Sequence, residues 1–193
     1  MDNKENIINC AIDLFYSKGY NSVGIQELVD KAGITKPTLY YYYGSKLGLL
    51  ESILELHFNK WLDDLTTAAE YNHDLPLTLE KVAAAYLNFA VMDNKFYYIM
   101  LALIFSAKDN EAYKAVIPYL IKQNNIFIEI FEKARTELGN MNGREKQFAR
   151  SFHGILSEYA VFYLEESEID NRVPIDQRTI YLLVHQFMHG IYS

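Results

Sequence analysis

The chain has 193 residues, half of them hydrophobic and 15% aromatic. That is enough to bury a substantial core, and it excludes intrinsic disorder. A formal charge of -7 argues against a protein that coats nucleic acid by bulk charge, but leaves room for a small DNA-reading head on an acidic body. The single cysteine, Cys10, excludes an internal disulfide framework and any multi-cysteine metal site, and suits a reducing cytosol.

The start, Met1 to Cys10, has no basic segment leading into an apolar one, so no signal peptide is expected. No run approaches the roughly 18 to 20 apolar residues that span a bilayer. The segment from Ile99 to Ala107 reads instead as a buried helix. A cytoplasmic protein without a membrane partner is expected.

Apolar spacing is helical almost throughout. Ile8, Ala11, Ile12 and Phe15 follow the i, i+3, i+4, i+7 pattern of a first helix, stopped by Lys18-Gly19. A short second helix turns Ile25, Leu28 and Val29 inward and ends at Ala32-Gly33, with Ser22 as a possible cap. Thr35 is placed to cap a third helix with Pro37 in its first turn, ending near Tyr43-Gly44. Ser45 caps a fourth with a long apolar stripe through Leu49, Ile53, Trp61 and Leu65. Glu70 to Pro76 reads as a break. Further helices are expected near 78–92, 94–107, 112–138, 144–166 and 176–191, with Pro118 kinking or interrupting the third of these. The prediction is an all-α fold of about nine helices, divided into residues 1–47 and 48–193.

Two short helices joined by a tight turn at Lys31-Ala32-Gly33-Ile34-Thr35 suggest a helix-turn-helix. Gly33 can take a positive φ and reverse the chain. Leu39 and Tyr43, four residues apart, face the core of this unit. Lys36, Thr38, Tyr41 and Tyr42 are left on the outer side of helix 3, with Tyr40 at the margin. A helix of this kind enters the major groove and reads bases from its N-terminal residues. Lys36 can donate to guanine, Thr38 offers a hydroxyl and a methyl, and the tyrosines can reach phosphates and sugars. Lys46 adds a charge at the start of helix 4.

Gly19-Tyr20, Ile25-Gln26-Glu27-Leu28, Ala32-Gly33-Ile34-Thr35-Lys36 and Thr38-Leu39-Tyr40-Tyr41-Tyr42-Tyr43-Gly44-Ser45-Lys46 together resemble the signature of TetR/AcrR transcriptional regulators. The resemblance covers residues 5 to 55. It implies a three-helix DNA-binding head and a C-terminal domain for ligand binding and dimerisation. By position, it implies that Gln26, Thr35, Lys36, Pro37, Thr38, Tyr40, Tyr41, Tyr42 and Lys46 contact double-stranded operator DNA. Two positions depart from the pattern: Gly24, where a Ser or Thr cap is usual, and Gly48, where an acid is usual. The head is also charge-neutral. Over residues 1–48, lysines 4, 18, 31, 36 and 46 are balanced by acids 2, 5, 13, 27 and 30. Affinity per head should be modest, with a shallow salt dependence.

The rest of the chain carries rings at helical spacing, a pattern that core packing alone also produces. The resemblance implies a cavity among these helices for a small apolar or aromatic effector. Candidate lining residues are Trp61, Phe89, Met100, Phe105, Phe127, Phe152 and His153, with His57, Tyr86, Tyr97 and Gln123 as further polar candidates. The apolar faces of the last two long helices point to a two-fold four-helix homodimer interface, with Ile155, Tyr159, Tyr163, Leu183 and Phe187 as candidate contacts.

No phosphate-binding loop, dinucleotide fingerprint, nucleophile elbow or zinc-protease motif occurs, so no enzyme activity and no cofactor are expected. His185 and His189 form an i, i+4 pair without further ligands at useful spacing, so no metal site is expected. The expected function is a repressor released from DNA by its effector. The alternative is a helical protein-interaction module with weak or no DNA binding.

Overall fold

The computed structural model describes residues 3–139, 141, 143–167 and 173–190. Nine α-helices and no strands occur among these residues. They are α1 (Asn3–Lys18), α2 (Ile25–Ala32), α3 (Lys36–Tyr43), α4 (Lys46–Ala68), α5 (Leu75–Met92), α6 (Asn94–Ile104), α7 (Glu111–Ala134), α8 (Glu145–Glu166) and α9 (Gln177–His189).

The caps follow from side-chain chemistry. Thr35 accepts a hydrogen bond from the Thr38 N–H at the start of α3, and Asp176 does the same for Thr179 at α9. The fifth helix begins at Leu75, earlier than the apolar pattern suggested. Asp74 caps it and Pro76 sits in its first turn, where a missing N–H costs nothing. A proline read as part of a break is therefore part of a helix start. Pro118 does not interrupt α7, which continues through it. Gly24, not Ser22, takes the cap position of α2, with no side-chain cap bond. The predicted end of the last helix at residue 191 lies outside the described residues.

The chain forms two compact units. Unit 1 comprises Met1–Lys60 and Lys95–Tyr119; unit 2 comprises Trp61–Asn94 and Leu120–Ser193. Helices α4 and α7 each contribute residues to both. In unit 1, α2 packs on α1 and α3 on α2, around Ile7, Phe15, Leu28, Val29 and Leu39. In unit 2, α5 packs against α8 and α9, with Tyr86, Phe127, Phe131 and Phe152 buried. No described helix is long and apolar enough to cross a membrane.

Candidate functional site

The α2–α3 turn is built by a left-handed Gly33 at φ 65°, a conformation that a side chain resists. Its N–H returns to the Asp30 carbonyl, and the Ile34 N–H to that of Val29. Leu39, fully buried, anchors α3 from beneath. The Thr35 and Thr38 hydroxyls lie 2.9 Å apart, which fixes the first turn of α3.

What α3 then turns outward is aromatic. Tyr41 is 83% exposed and Tyr40 46%. Lys36, Pro37 and Thr35 are also exposed, and Thr38 is half-buried. Tyr42 is half-buried against Tyr41, with ring centroids 5.2 Å apart, and the Lys4 ammonium stands 5.8 Å from its ring. Tyr43 turns back to α1 and donates to the Lys4 carbonyl at 3.0 Å. Gln26 is exposed on α2 but donates to Asp30 at 2.8 Å. A DNA contact by Gln26 would replace that bond.

Lys46 is placed differently from the outward phosphate contact expected of it. Its Nζ donates to the Tyr20 and Val23 carbonyls at 3.0 and 2.9 Å. It also lies 4.2 Å from the Tyr20 ring centroid. Burial pulls its pKa below the usual lysine value. The Tyr20 hydroxyl in turn donates to Glu111 at 2.6 Å, and burial followed by this carboxylate raises the phenol's pKa. Lys46 is thus a strut joining the start of α4 to the segment before α2. Lys18 pairs with Glu27 and Lys31 with Asp13. Positive charge near the outer face of α3 therefore comes from Lys36 and Lys4.

The junction of α3 and α4 explains Gly48. The Ser45 hydroxyl accepts from the Gly48 N–H at 3.0 Å, so Ser45 is a working cap. A Cβ on Gly48 would stand 2.1 Å from the Tyr43 carbonyl oxygen. Any other residue, including the usual acid, would collide with backbone. The constraint comes from the end of α3, five residues earlier, which a residue-by-residue pattern does not carry.

Unit 2 brings five of the seven candidate effector residues together. Trp61 stacks on Phe89 at 4.4 Å and meets Tyr86 edge-on at 5.5 Å. Tyr86 contacts Phe127, Phe127 contacts Phe152, and His153 lies 5.0 Å from Phe127. Met100 and Phe105 belong to unit 1. Met100 is buried there, whereas Phe105 is 85% exposed. Of the further polar candidates, His57 and Tyr97 also lie in unit 1, where His57 stacks on Phe96.

Inside the unit 2 cluster runs a polar chain. The Trp61 indole N–H donates to Gln123 Oε1 at 3.2 Å, and Gln123 Nε2 lies 2.8 Å from His153 Nε2. Indole nitrogen can only donate, so Gln123 must present its oxygen to Trp61 and its amide N–H to His153. His153 Nε2 then accepts, and the ring is neutral with its proton on Nδ1. Burial acts in the same direction and lowers the His153 pKa to about 4. Nearby in α5, the buried Asn88 Oδ1 has no hydrogen-bond partner.

Of the candidate dimer residues, Ile155, Tyr159 and Leu183 line one shallow apolar surface groove with Phe162 and Gly154. Phe162 is 56% exposed, and Leu182 beside Leu183 53%. Tyr163 stacks on Tyr159 and donates to the Val173 carbonyl at 2.8 Å. Phe187 turns inward, with its ring 5.0 Å from Phe152. The His185 and His189 rings lie 4.5 Å apart, and among the described residues no group of three or more potential ligands surrounds them.

Residues 7–53 match the family model of bacterial regulatory proteins, tetR family. The chain is 28% identical over 94 residues to the HTH-type transcriptional activator FasR of Mycolicibacterium smegmatis, a match covering 49% of this chain and 43% of that protein. It is 43% identical over 54 residues to the uncharacterized HTH-type transcriptional regulator YuxN of Bacillus subtilis, covering 28% and 19%. The likeness thus spans less than half the length of these two relatives. Among solved structures, the transcriptional regulator FadR from Bacillus subtilis, determined in complex with stearoyl-CoA, superposes with a TM-score of 0.77 at 14% identity, over 97% of this chain and 99% of that one. Residues 7–53, which hold the helix-turn-helix, thus match the tetR family of bacterial regulatory proteins, and the chain as a whole shares the fold of the solved regulator.

Proposed function

We propose that the chain is a homodimeric repressor that binds double-stranded operator DNA through α3 and is released by a small apolar or aromatic effector. Residues 1–47 serve as the DNA-binding part and residues 48–193 as the effector-binding and dimerisation part. The observation that carries the DNA reading is the outer face of α3. Tyr41, at 83% exposure, stands beside Tyr40 and Lys36 on a helix braced by Gly33, Thr35 and Leu39. A ring that exposed contributes little to packing, and its position suits base and phosphate contact in a major groove.

Specificity falls to Lys36, Thr38, Tyr40 and Tyr41, with Gln26, Thr35, Pro37 and Tyr42 flanking them. Lys46 supports the head from within. The groove lined by Ile155, Tyr159 and Leu183 supports pairing through α8 and α9, which would set two heads about 34–36 Å apart. The ring cluster around Gln123 and His153 supports an effector that is mostly apolar with one or two hydrogen-bonding groups. Helix α4 belongs to both units, so an effector that favours one placement of α4 would shift the population of DNA-competent dimers.

The test is a gel shift on the DNA upstream of the protein's own gene. Tyr41→Ala and Lys36→Ala should each weaken the specific complex about tenfold or more, while circular dichroism shows the helices retained. A complex indifferent to both changes would favour the interaction-module reading. An effector that strengthens the complex would mark the opposite sign of regulation.

A further inference from the structure

We propose that unit 2 holds a second ligand site, for a small uncharged apolar molecule, where α5 begins and α7 ends. A cavity of about 290 Å3 opens there. Its walls are Leu75 and Leu79 of α5, Phe131 of α7, Leu138 just beyond α7, Phe148 of α8 and Phe187 of α9. Among the described residues, none that lines it carries a charge. An ionised group placed among these side chains would lose its hydration. A neutral apolar occupant has no such hydration to lose.

Size narrows the class. The cavity is about twice the roughly 150 Å3 of an apolar cavity that takes benzene, so an occupant of about ten to twelve non-hydrogen atoms fills it. Met141 and Met188 complete the lining, and their flexible thioethers adapt to the outline of a guest. The wall at Leu75 and Leu138 is held from outside. Glu137 accepts from the Tyr71 hydroxyl at 2.6 Å and lies 2.5 Å from His73 Nδ1. This ties the turn before Leu75 to the residue before Leu138. His73 holds a positive φ of 60° in that turn.

The site is separate from the cluster around Trp61. Phe187 closes the cavity on one side and touches Phe152 on the other, so the two are neighbours with a ring between them. The cavity and the α8–α9 groove share no lining residue.

The experiment is calorimetric titration of the full chain, without DNA, with a series from hexan-1-ol to dodecan-1-ol. Saturable binding is expected, with affinity rising about fourfold per methylene and levelling once the cavity is full, near ten carbons. Leu138→Trp, which fills the cavity, should abolish the binding. Leu138→Ala, which enlarges it, should keep the binding and move the levelling to a longer chain. No saturable binding to wild type and Leu138→Ala would overturn the proposal. So would a rise that continues unbroken to dodecanol in both, the mark of adsorption to an open face. Binding that appears only after deletion of residues 191–193 would also overturn it, by naming the chain's own end as the occupant. DNA plays no part in this test, so its failure leaves the proposed operator binding untouched.

Discussion

Both units bury an apolar core, and they differ in the longer-range contacts laid over it. Unit 1 is tied together by polar side chains reaching between segments far apart in sequence: Asp13 to Lys31 and Lys95, Tyr20 to Glu111, Asn110 to Asn21, and Lys46 to the carbonyls before α2. Unit 2 carries a column of rings, from Phe148 and Phe187 through Phe152, Phe127 and Tyr86 to Trp61 and Phe89, with the Gln123–His153 chain inside it. Such a difference suits the proposed roles, one part presenting a fixed surface to DNA and the other accepting an effector. Directional bonds fix orientation, whereas ring packing tolerates rearrangement at similar energy.

The contrast is broken most severely from the body side. Phe152 is fully buried and joins two layers of rings. Phe152→Ala should cost about 3–5 kcal/mol, read as a lower urea midpoint. A loss below about 1 kcal/mol would mean that unit 2 collapses around the gap and that its ring column is not a support.

The polar chain within that column gives the second effect. His153 is neutral in the folded chain, with its pKa lowered to about 4 by burial. An unfolded histidine titrates near 6.5. Between these values the unfolded state binds the extra proton, so stability rises with pH across the window and is lost as pH falls from 6.5 toward 4. The full change is on the order of 3 kcal/mol. His153→Gln keeps an acceptor for Gln123 and cannot titrate, so it should flatten this part of the stability–pH curve. An unchanged curve would assign the acid sensitivity to carboxylates instead.

In the head the third effect is local. Gly48→Ala places a Cβ against the Tyr43 carbonyl, where the separation would be 2.1 Å. Alanine ordinarily stabilises a helix interior by up to about 1 kcal/mol over glycine. Here the collision decides the sign, and a net loss of about 1–3 kcal/mol is expected. Operator affinity should fall with it, because the junction sets the angle between α3 and α4. Stabilisation by this substitution would show that the α3–α4 corner relaxes freely.

What could be read in advance follows the same division. The α2–α3 turn was legible because its geometry demands particular residues: a glycine at a left-handed position, a capping threonine, a proline in the first turn. Few other sequences satisfy those demands at that spacing. The ring positions in unit 2 were legible as buried, but their partners were not. Helical spacing assigns a ring to a face, and the facing helix decides the rest. That is why Phe187, expected at a dimer surface, packs inward on Phe152, and why Phe105, expected in a pocket, is exposed. Lys46 shows the limit within the motif itself: its position in the sequence signals a phosphate contact, but not that its ammonium also donates to the Tyr20 and Val23 carbonyls.

The smallest effect separates the two units most cleanly. Asp13 lies 2.5 Å from Lys95 and 3.2 Å from Lys31. The Lys95 bond, acting against partial burial, holds its pKa below the usual carboxylate value. The carboxylate is 39% exposed, so water and salt screen much of its attraction. Asp13→Asn should therefore cost at most about 1 kcal/mol at low salt, and the loss should shrink toward zero at 1 M salt, where the screening length is about 3 Å. The loss from Phe152→Ala should survive at that salt concentration, because burial of a ring does not depend on screening. If both losses shrink together, the ring column carries an electrostatic term that its contacts do not show. If neither shrinks, Asp13 acts by bridging α1, α2 and α6 through hydrogen bonds that salt does not reach, and the head is more rigidly joined to α6 than an exposed ion pair allows.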